Sequence, residues 1–184
     1  MYHAEPSAWV RRFAPLIPAG GAVLDVACGM GRHARLLAEM GYRVEAVDRN
    51  SEALERLAGL MRITTRAADL ESGEWPYPRK IFDGVVVTNY LYRPRFELLL
   101  DVLRSNGVLI YETFMVGNET LGKPSNPDFL LRQDELLERV RDRLDVIAFE
   151  QGRVEEPKPA FVQRICATAS SKHGALEAAI TVVE

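Results

Sequence analysis

Thiols are scarce in this chain of 184 residues: it has two cysteines, Cys28 and Cys166. They stand far apart and lack metal-ligand spacing, which excludes a disulfide framework, gives no metal site and fits a reducing compartment. Long apolar runs are missing as well. None approaches the roughly 18 residues that span a bilayer, and Met1 to Pro18 has neither the basic start nor the unbroken apolar stretch of a signal peptide. A cytoplasmic location without a membrane partner is therefore expected. There is no internal repeat, low-complexity run or Pro-, Gly- or Ser-rich linker, so residues 1–184 are expected to form one domain. An excess of one charge is also absent, with 23 basic against 26 acidic residues and a formal net charge of -3. No global positive field draws the chain to nucleic acid. The densest basic clusters, Arg11-Arg12, Arg93 with Arg95, and Arg139, Arg141 and Arg143, read as solvated helix faces. Oligomeric state leaves no mark in the composition.

What is present is an alternation of strand-like and helix-like patterns, the signature of a parallel sheet with helices on both faces. Strands are predicted at Ala22–Ala27, Arg43–Asp48, Ile63–Ala68, Phe82–Thr88 and Val108–Phe114. Helices are predicted at Arg32–Met40, at Glu52–Met61 behind a Ser51 cap, and from Pro94 to about Arg104. Residues 1–20 should form a helical cap that includes Trp9, Arg12 and Phe13. Met115 to Leu130 holds Gly117, Gly122, Pro124 and Pro127 without a clear period, so 115–130 reads as a long loop that shapes a substrate pocket. A helix over Gln133–Arg143 then leads to two successive strands, Leu144–Glu150 and Phe161–Ala169, which imply an antiparallel hairpin at the sheet edge. The expected fold is α/β, a three-layer sandwich around a seven-stranded, mostly parallel, doubly wound sheet. The tail 170–184 is left as helix or disorder.

The most informative segment is Val23 to Ala34, an apolar strand that passes through Asp25 into a glycine turn and then a helix. Gly29 and Gly31 can take positive φ and let a ligand approach, offering a patch of exposed amides at the helix mouth. A turn that needs glycine only for its shape is the plain alternative. Gly29, Gly31 and Ala34 also satisfy the Gly-x-Gly-x-x-Ala dinucleotide fingerprint, with Asp48 at about the spacing of a ribose-binding acid. Asp25 separates the two ligand readings, because dinucleotide-binding strands usually carry small apolar residues there. An acid suggests a site that meets a cationic ligand.

Here the chain resembles the class I S-adenosylmethionine (SAM) dependent methyltransferases, through Leu24-Asp25-Val26-Ala27-Cys28-Gly29-Met30-Gly31 and the order of elements over roughly residues 10–168. Ala27 stands where many members have glycine, and it can serve if its φ stays negative. The resemblance implies SAM as cofactor, held by Asp25, Ala27, Cys28, Gly29, Gly31 and Arg32. Ligands of such sheets bind at the carboxyl ends of the strands, so Asp48 should accept the ribose hydroxyls. Arg49, Asn50, Asp69 and Leu70 would surround the adenine, and Thr88 closes the site. Asn89 and Tyr92 fit the ends of the amine-directed pattern, while Tyr90 and Leu91 replace its prolines. Tyr90 offers an aromatic face near a sulfonium, and Glu112 is the carboxylate expected to touch the acceptor, giving Glu112, Tyr90 and Asn89 as the acceptor-side set. His33 could act as a base or be structural. In size and layout the chain is similar to compact enzymes of the tellurite-resistance and thiopurine kind, and a small-molecule acceptor is expected. Alternatives are a methyltransferase acting on RNA or protein and a non-catalytic SAM- or nucleotide-binding module.

Overall fold

The structure is a computed structural model and describes residues 5–169. The strands are β1 (Ala22–Val26), β2 (Arg43–Asp48), β3 (Ile63–Ala67), β4 (Phe82–Thr88), β5 (Leu103–Phe114), β6 (Asp145–Val154) and β7 (Ala160–Thr168). They form one seven-stranded sheet in the order β3-β2-β1-β4-β5-β7-β6. The pairs from β3 to β5 are parallel, whereas β7 runs antiparallel to both β5 and β6. The helices are α1 (Ala8–Phe13), α2 (Arg32–Glu39), α3 (Ser51–Glu55), α4 (Phe96–Asp101) and α5 (Glu135–Val140). None of the helices among the described residues is long and apolar enough to cross a membrane. The tail assigned to 170–184 lies outside the described residues.

Two cores flank the sheet because alternate residues of each strand point to opposite faces. Leu24, Val85, Val87, Leu109 and Tyr111 pack on one face with α4 and α5. Val23, Val44, Val86 and Ile110 pack on the other with α1, α2 and α3. A strand covered on both sides reads as an unbroken apolar run, which is why β4 carries Val85, Val86 and Val87 together.

The sequence misplaces several boundaries. The third helix is short: after Glu55 the chain tightens into turns with Leu57 N–H bonded to Leu54 O at 2.9 Å and Leu60 N–H to Leu57 O at 3.2 Å. Its cap is Asn50, whose side chain accepts from the Ala53 amide at 3.2 Å, rather than Ser51. The helix expected to run to Arg104 ends at Asp101, because Leu103 pairs with Phe82 and starts β5 five residues early. Residues between Leu103 and Val108 then bulge out of the ladder.

The segment 115–130 is tied at its base. Met115 bridges Leu131, the Val116 amide donates to Leu131 O at 2.9 Å and the Leu131 amide to Phe114 O at 3.0 Å. Arg93 donates to the Asp128 and Leu130 carbonyls, each at 2.7 Å. The same guanidinium grips the buried Glu135 carboxylate at 2.7 and 2.9 Å. Burial raises the Glu135 pKa, but hydrogen bonds from Arg93, the Arg132 amide and Arg139 outweigh it and bring it down to about 2. Such a bidentate fork is directional as well as strong.

Candidate functional site

Beyond β1 the backbone enters the left-handed region three times, at Ala27 (φ 50°), Gly29 (φ 52°) and Gly31 (φ 73°). The negative φ expected for Ala27 is thus not adopted, and an L residue held there costs roughly 1–2 kcal/mol. Gly31 cannot be replaced freely, since a Cβ would lie 2.4 Å from Leu57 Cδ1. Over Gly29 a Cβ would meet nothing within 4 Å. The expected patch of free amides needs correction. The Gly29 amide donates to Asp48 Oδ2 at 2.8 Å, the Gly31 amide to Cys28 O at 2.9 Å and the Cys28 amide to Val47 O at 3.0 Å. What the turn offers a ligand is bare space above Gly29 with Asp48 locked beside it.

Beneath the turn lies Asp25, 1 % exposed. Neither carboxylate oxygen has a hydrogen-bond partner. Burial pushes its pKa up to about 7, offset in part by the Ala34 amide, which does not reach hydrogen-bonding geometry, and by the Arg32 guanidinium. An unpaired buried carboxylate is costly, so the site stores a demand for a positive or hydrogen-bond-donating group. The donor set therefore fits a SAM molecule, whose sulfonium and ammonium are cationic.

The ends of β1 to β4 enclose a cavity of about 200 Å³ lined by Ala27, Asp48, Arg49, Asp69, Leu70 and Tyr90, among others. Asp48 Oδ1 accepts from the Asn50 amide at 2.9 Å, and with Gly29 on the other oxygen the carboxylate keeps lone pairs free for further donors. Asp69 accepts from the Glu71 amide and the Ser72 hydroxyl, each at 2.9 Å, which lowers its pKa. Leu70, 6 % exposed, gives this cavity an apolar wall.

Three expected ligand contacts are engaged elsewhere. Cys28 packs into the core between the sheet and α2, where burial raises its thiol pKa. The Asn50 side chain caps α3. The Thr88 hydroxyl lies 3.3 Å from His33 Nδ1. His33 accepts the Ser7 amide on Nε2 at 3.0 Å, so Nδ1 carries the proton and donates to Thr88. Burial holds its pKa down to about 3, and it joins α2 to the segment preceding α1 as a neutral structural group. Trp9 is likewise a core residue, its indole N–H donating to Ile165 O at 3.2 Å. Arg12 stacks on Phe13 at 4.9 Å and lies 3.8 Å from Glu150, away from the turn.

A second cavity, of about 330 Å³, opens on the other side of the β4 end. Asn89 and Glu112 line it, with the Asn89 amide bonded to Glu112 O at 2.9 Å. Tyr90 instead faces the first cavity, so the expected acceptor-side set divides between the two. The other walls come from Glu5 to Ala8, Arg32, Phe114, Val154 of β6, Ala160, Val162 and Arg164 of β7, and the turn between those strands. No residue of 115–130 lines it. Nothing local in residues 5–8 or 155–159 announces a site, and only the closure of the sheet brings them together.

A family model described as a methyltransferase domain matches residues 23–107. A protein-L-isoaspartate O-methyltransferase of Chlorobium limicola is 38% identical over 99 residues, covering 50% of this chain and 44% of that protein. The chain therefore spans less than half of that relative's length. TehB from Haemophilus influenzae superposes with a TM-score of 0.74 at 19% identity, over 90% of this chain and 63% of that one. A Burkholderia thailandensis 1,6-didemethyltoxoflavin-N1-methyltransferase, solved with 1,6-didemethyltoxoflavin and S-adenosylhomocysteine bound, gives 0.63 at 19% identity, over 89% and 79%. At such identities the structural likeness is one of fold.

Proposed function

This chain carries a class I SAM-dependent methyltransferase domain, and on that premise we propose that it transfers a methyl group from SAM to a small-molecule acceptor. The observation that carries the reading is Asp25, a buried carboxylate with both oxygens unpaired directly under a glycine turn. A structural turn has no use for such a group, whereas a cationic ligand compensates it.

SAM supplies an electrophilic methyl group on a sulfonium centre. In this reading Asp48 accepts the ribose hydroxyls, Asp69 and Leu70 hold the adenine, and Arg49 lies along its edge. Gly29 leaves room for the ligand, Ala27 and Gly31 shape the turn, Asp25 balances the positive end and Arg32 meets the carboxylate. Asn89 and Glu112 present hydrogen-bond acceptors from the neighbouring cavity, and Tyr90 stands between the two spaces with an aromatic face. Such a transfer needs alignment and a dry path more than a strong base.

A second reading has one observation in its favour, the relative that bears the name of a protein methyltransferase. A cavity of about 330 Å³ walled by the chain's own Glu5 to Ala8 favours a small acceptor. The test is calorimetric titration with S-adenosylhomocysteine, NAD and NADP, repeated on Asp48→Ala. Micromolar binding of S-adenosylhomocysteine alone, weakened at least about tenfold in the variant, is expected. Preference for a dinucleotide would overturn the proposal. Binding of S-adenosylhomocysteine with methyl incorporation only into peptides would replace the small-molecule acceptor with a protein.

A further inference from the structure

The face of the sheet that α1 covers opens into the second cavity at its carboxyl edge. Trp9 and Val10 share a core with Ile110 and Cys166, and the rows further out are covered by side chains of α1 and by the segment before it. The first of these rows crosses three strands as Glu112, Arg164 and Glu150. Arg164 Nε is 3.5 Å from Glu112 Oε2 and 3.9 Å from Glu150 Oε2, Arg12 lies 3.8 Å from Glu150, and the Arg164 guanidinium stacks 5.6 Å from the Trp9 ring. Signs alternate along the row, so its charges largely offset one another, while Arg164 Nε makes no hydrogen bond. Glu112 shares its arginine with Glu150, and a carboxylate with about four lone-pair positions retains acceptor capacity.

The row beyond it is apolar. Phe114 and Val162 lie side by side on β5 and β7, opposite Gly152 on β6, and Ala160 pairs with Val154 at the rim. Phe114, Val154, Ala160 and Val162 all line the cavity and form its floor. Two prolines face this floor, Pro6 from the segment before α1 and Pro157 from the β6–β7 turn. The first is hung on α2: Arg32 Nη1 donates to Glu5 O at 3.1 Å and the Ser7 amide donates to His33 at 3.0 Å. The cavity is thus a slot with an apolar floor, with Glu156 and Lys158 at its outer turn, that ends beside the first cavity in the acceptors Asn89 and Glu112.

We propose that this slot takes a methyl acceptor with an apolar body and an uncharged polar reacting head, and that the strap Glu5–Ala8 and the β6–β7 turn select the body. The proposal rests on the methyltransferase reading above. The head points to Asn89 and Glu112 and the body lies over Phe114, Val162 and Val154. As the head's lone pair forms its bond to the methyl carbon, the sulfur–methyl bond breaks and leaves its electron pair on sulfur. The head's proton passes to the Glu112 carboxylate and then to water.

The experiment is an NMR titration of the S-adenosylhomocysteine-saturated protein with benzyl alcohol and 1-hexanol, against glycine and taurine as zwitterions with no apolar body. The alcohols are expected to shift the amide signals of Ala160 and Val162 at low millimolar concentration, and the zwitterions to leave them in place. Val154→Trp fills the slot from its rim and should weaken the alcohols at least tenfold while the S-adenosylhomocysteine affinity stays within twofold. Phe114→Ala, which removes floor area without adding bulk, should weaken them three- to tenfold. Equal or tighter binding of the zwitterions, or alcohol binding unchanged in both variants, overturns the proposal. If S-adenosylhomocysteine itself does not bind, the methyltransferase reading fails. The same alcohol titration on the unliganded protein then still decides the chemistry of the slot.

Discussion

The two cavities on either side of the β4 end are built from very different lengths of chain. The first takes its walls from the ends of successive strands between Ala27 and Tyr90, so each wall is set by a turn a few residues long. The second draws on residues from Glu5 to Arg164 and exists only once β7 has inserted between β5 and β6. One site is a property of local backbone geometry and the other of global closure. Substitutions in the glycine turn should therefore disturb the first space sharply, and changes in the second should be absorbed by long-range packing.

The severest test of that contrast is Gly31→Ala. The backbone penalty of positive φ adds to a methyl group driven 2.4 Å from Leu57 Cδ1, for a loss of about 2–5 kcal/mol of stability. Urea denaturation should show it, and measured against Leu57→Ala alone, where the overlap is gone, Gly31→Ala should cost only the part due to φ. No cost on that background would mean that the turn is not conformationally demanding, and the contrast would collapse.

Next in size is Asp25→Asn. The folded-state pKa of Asp25 is about 7 against an ordinary value of 3.8, so between those values the native state holds a proton that the unfolded chain has released. Stability then falls as pH rises from about 4 to 7, and at pH 8 the full penalty is present, about 4 kcal/mol. The amide removes the titration, so the variant should be more stable than the parent at pH 8 and close to it at pH 4, by thermal melts across that range. Affinity for S-adenosylhomocysteine should fall in the same variant. A parallel pH profile in the two proteins would show that Asp25 is compensated within the protein.

The smallest effect is expected from Ala27→Gly. Relief of the left-handed conformation exceeds the entropy that glycine adds to the unfolded chain, for a net gain of about 0.5–1 kcal/mol. A loss of stability in urea would show that the Ala27 methyl group makes packing contacts worth more than its strain.

The same division explains what could be read from the chain. The Gly-x-Gly turn, Asp25 inside a strand and Asp48 at the end of the next are neighbours in sequence and in space, and the sheet with its terminal hairpin follows from the apolar alternation. The second cavity was only half legible: Asn89 and Glu112 end buried strands, where chemistry is expected, but their companions Pro6, Pro157 and Lys158 carry no pattern of their own. The cap that Asn50 makes on α3 could not be read from the sequence, because an asparagine beside a ligand and one capping a helix look alike until the Ala53 amide is placed. The hydrogen bond of Thr88 was hidden because its partner, His33, is 55 residues away. The bond count of the turn was equally hidden, since the acceptor of the Gly29 amide lies on a different strand.

The segment 115–130 leaves the sheet at Met115 and rejoins it at Leu131, and the two residues face each other across a single bridge. Arg93 holds the returning limb by its carbonyls while gripping Glu135. Inside the segment Asn118 is buried and its side-chain oxygen accepts the Phe161 amide at 3.2 Å, so entry, exit and one interior residue are fixed, while Glu119 to Lys123 project into solvent. In mechanical terms it is a pendant with a closed clasp, and its length is a free parameter of the architecture. That makes the exposed stretch a natural graft point, where a reporter or an affinity handle can be carried without moving the strand ends that frame either cavity.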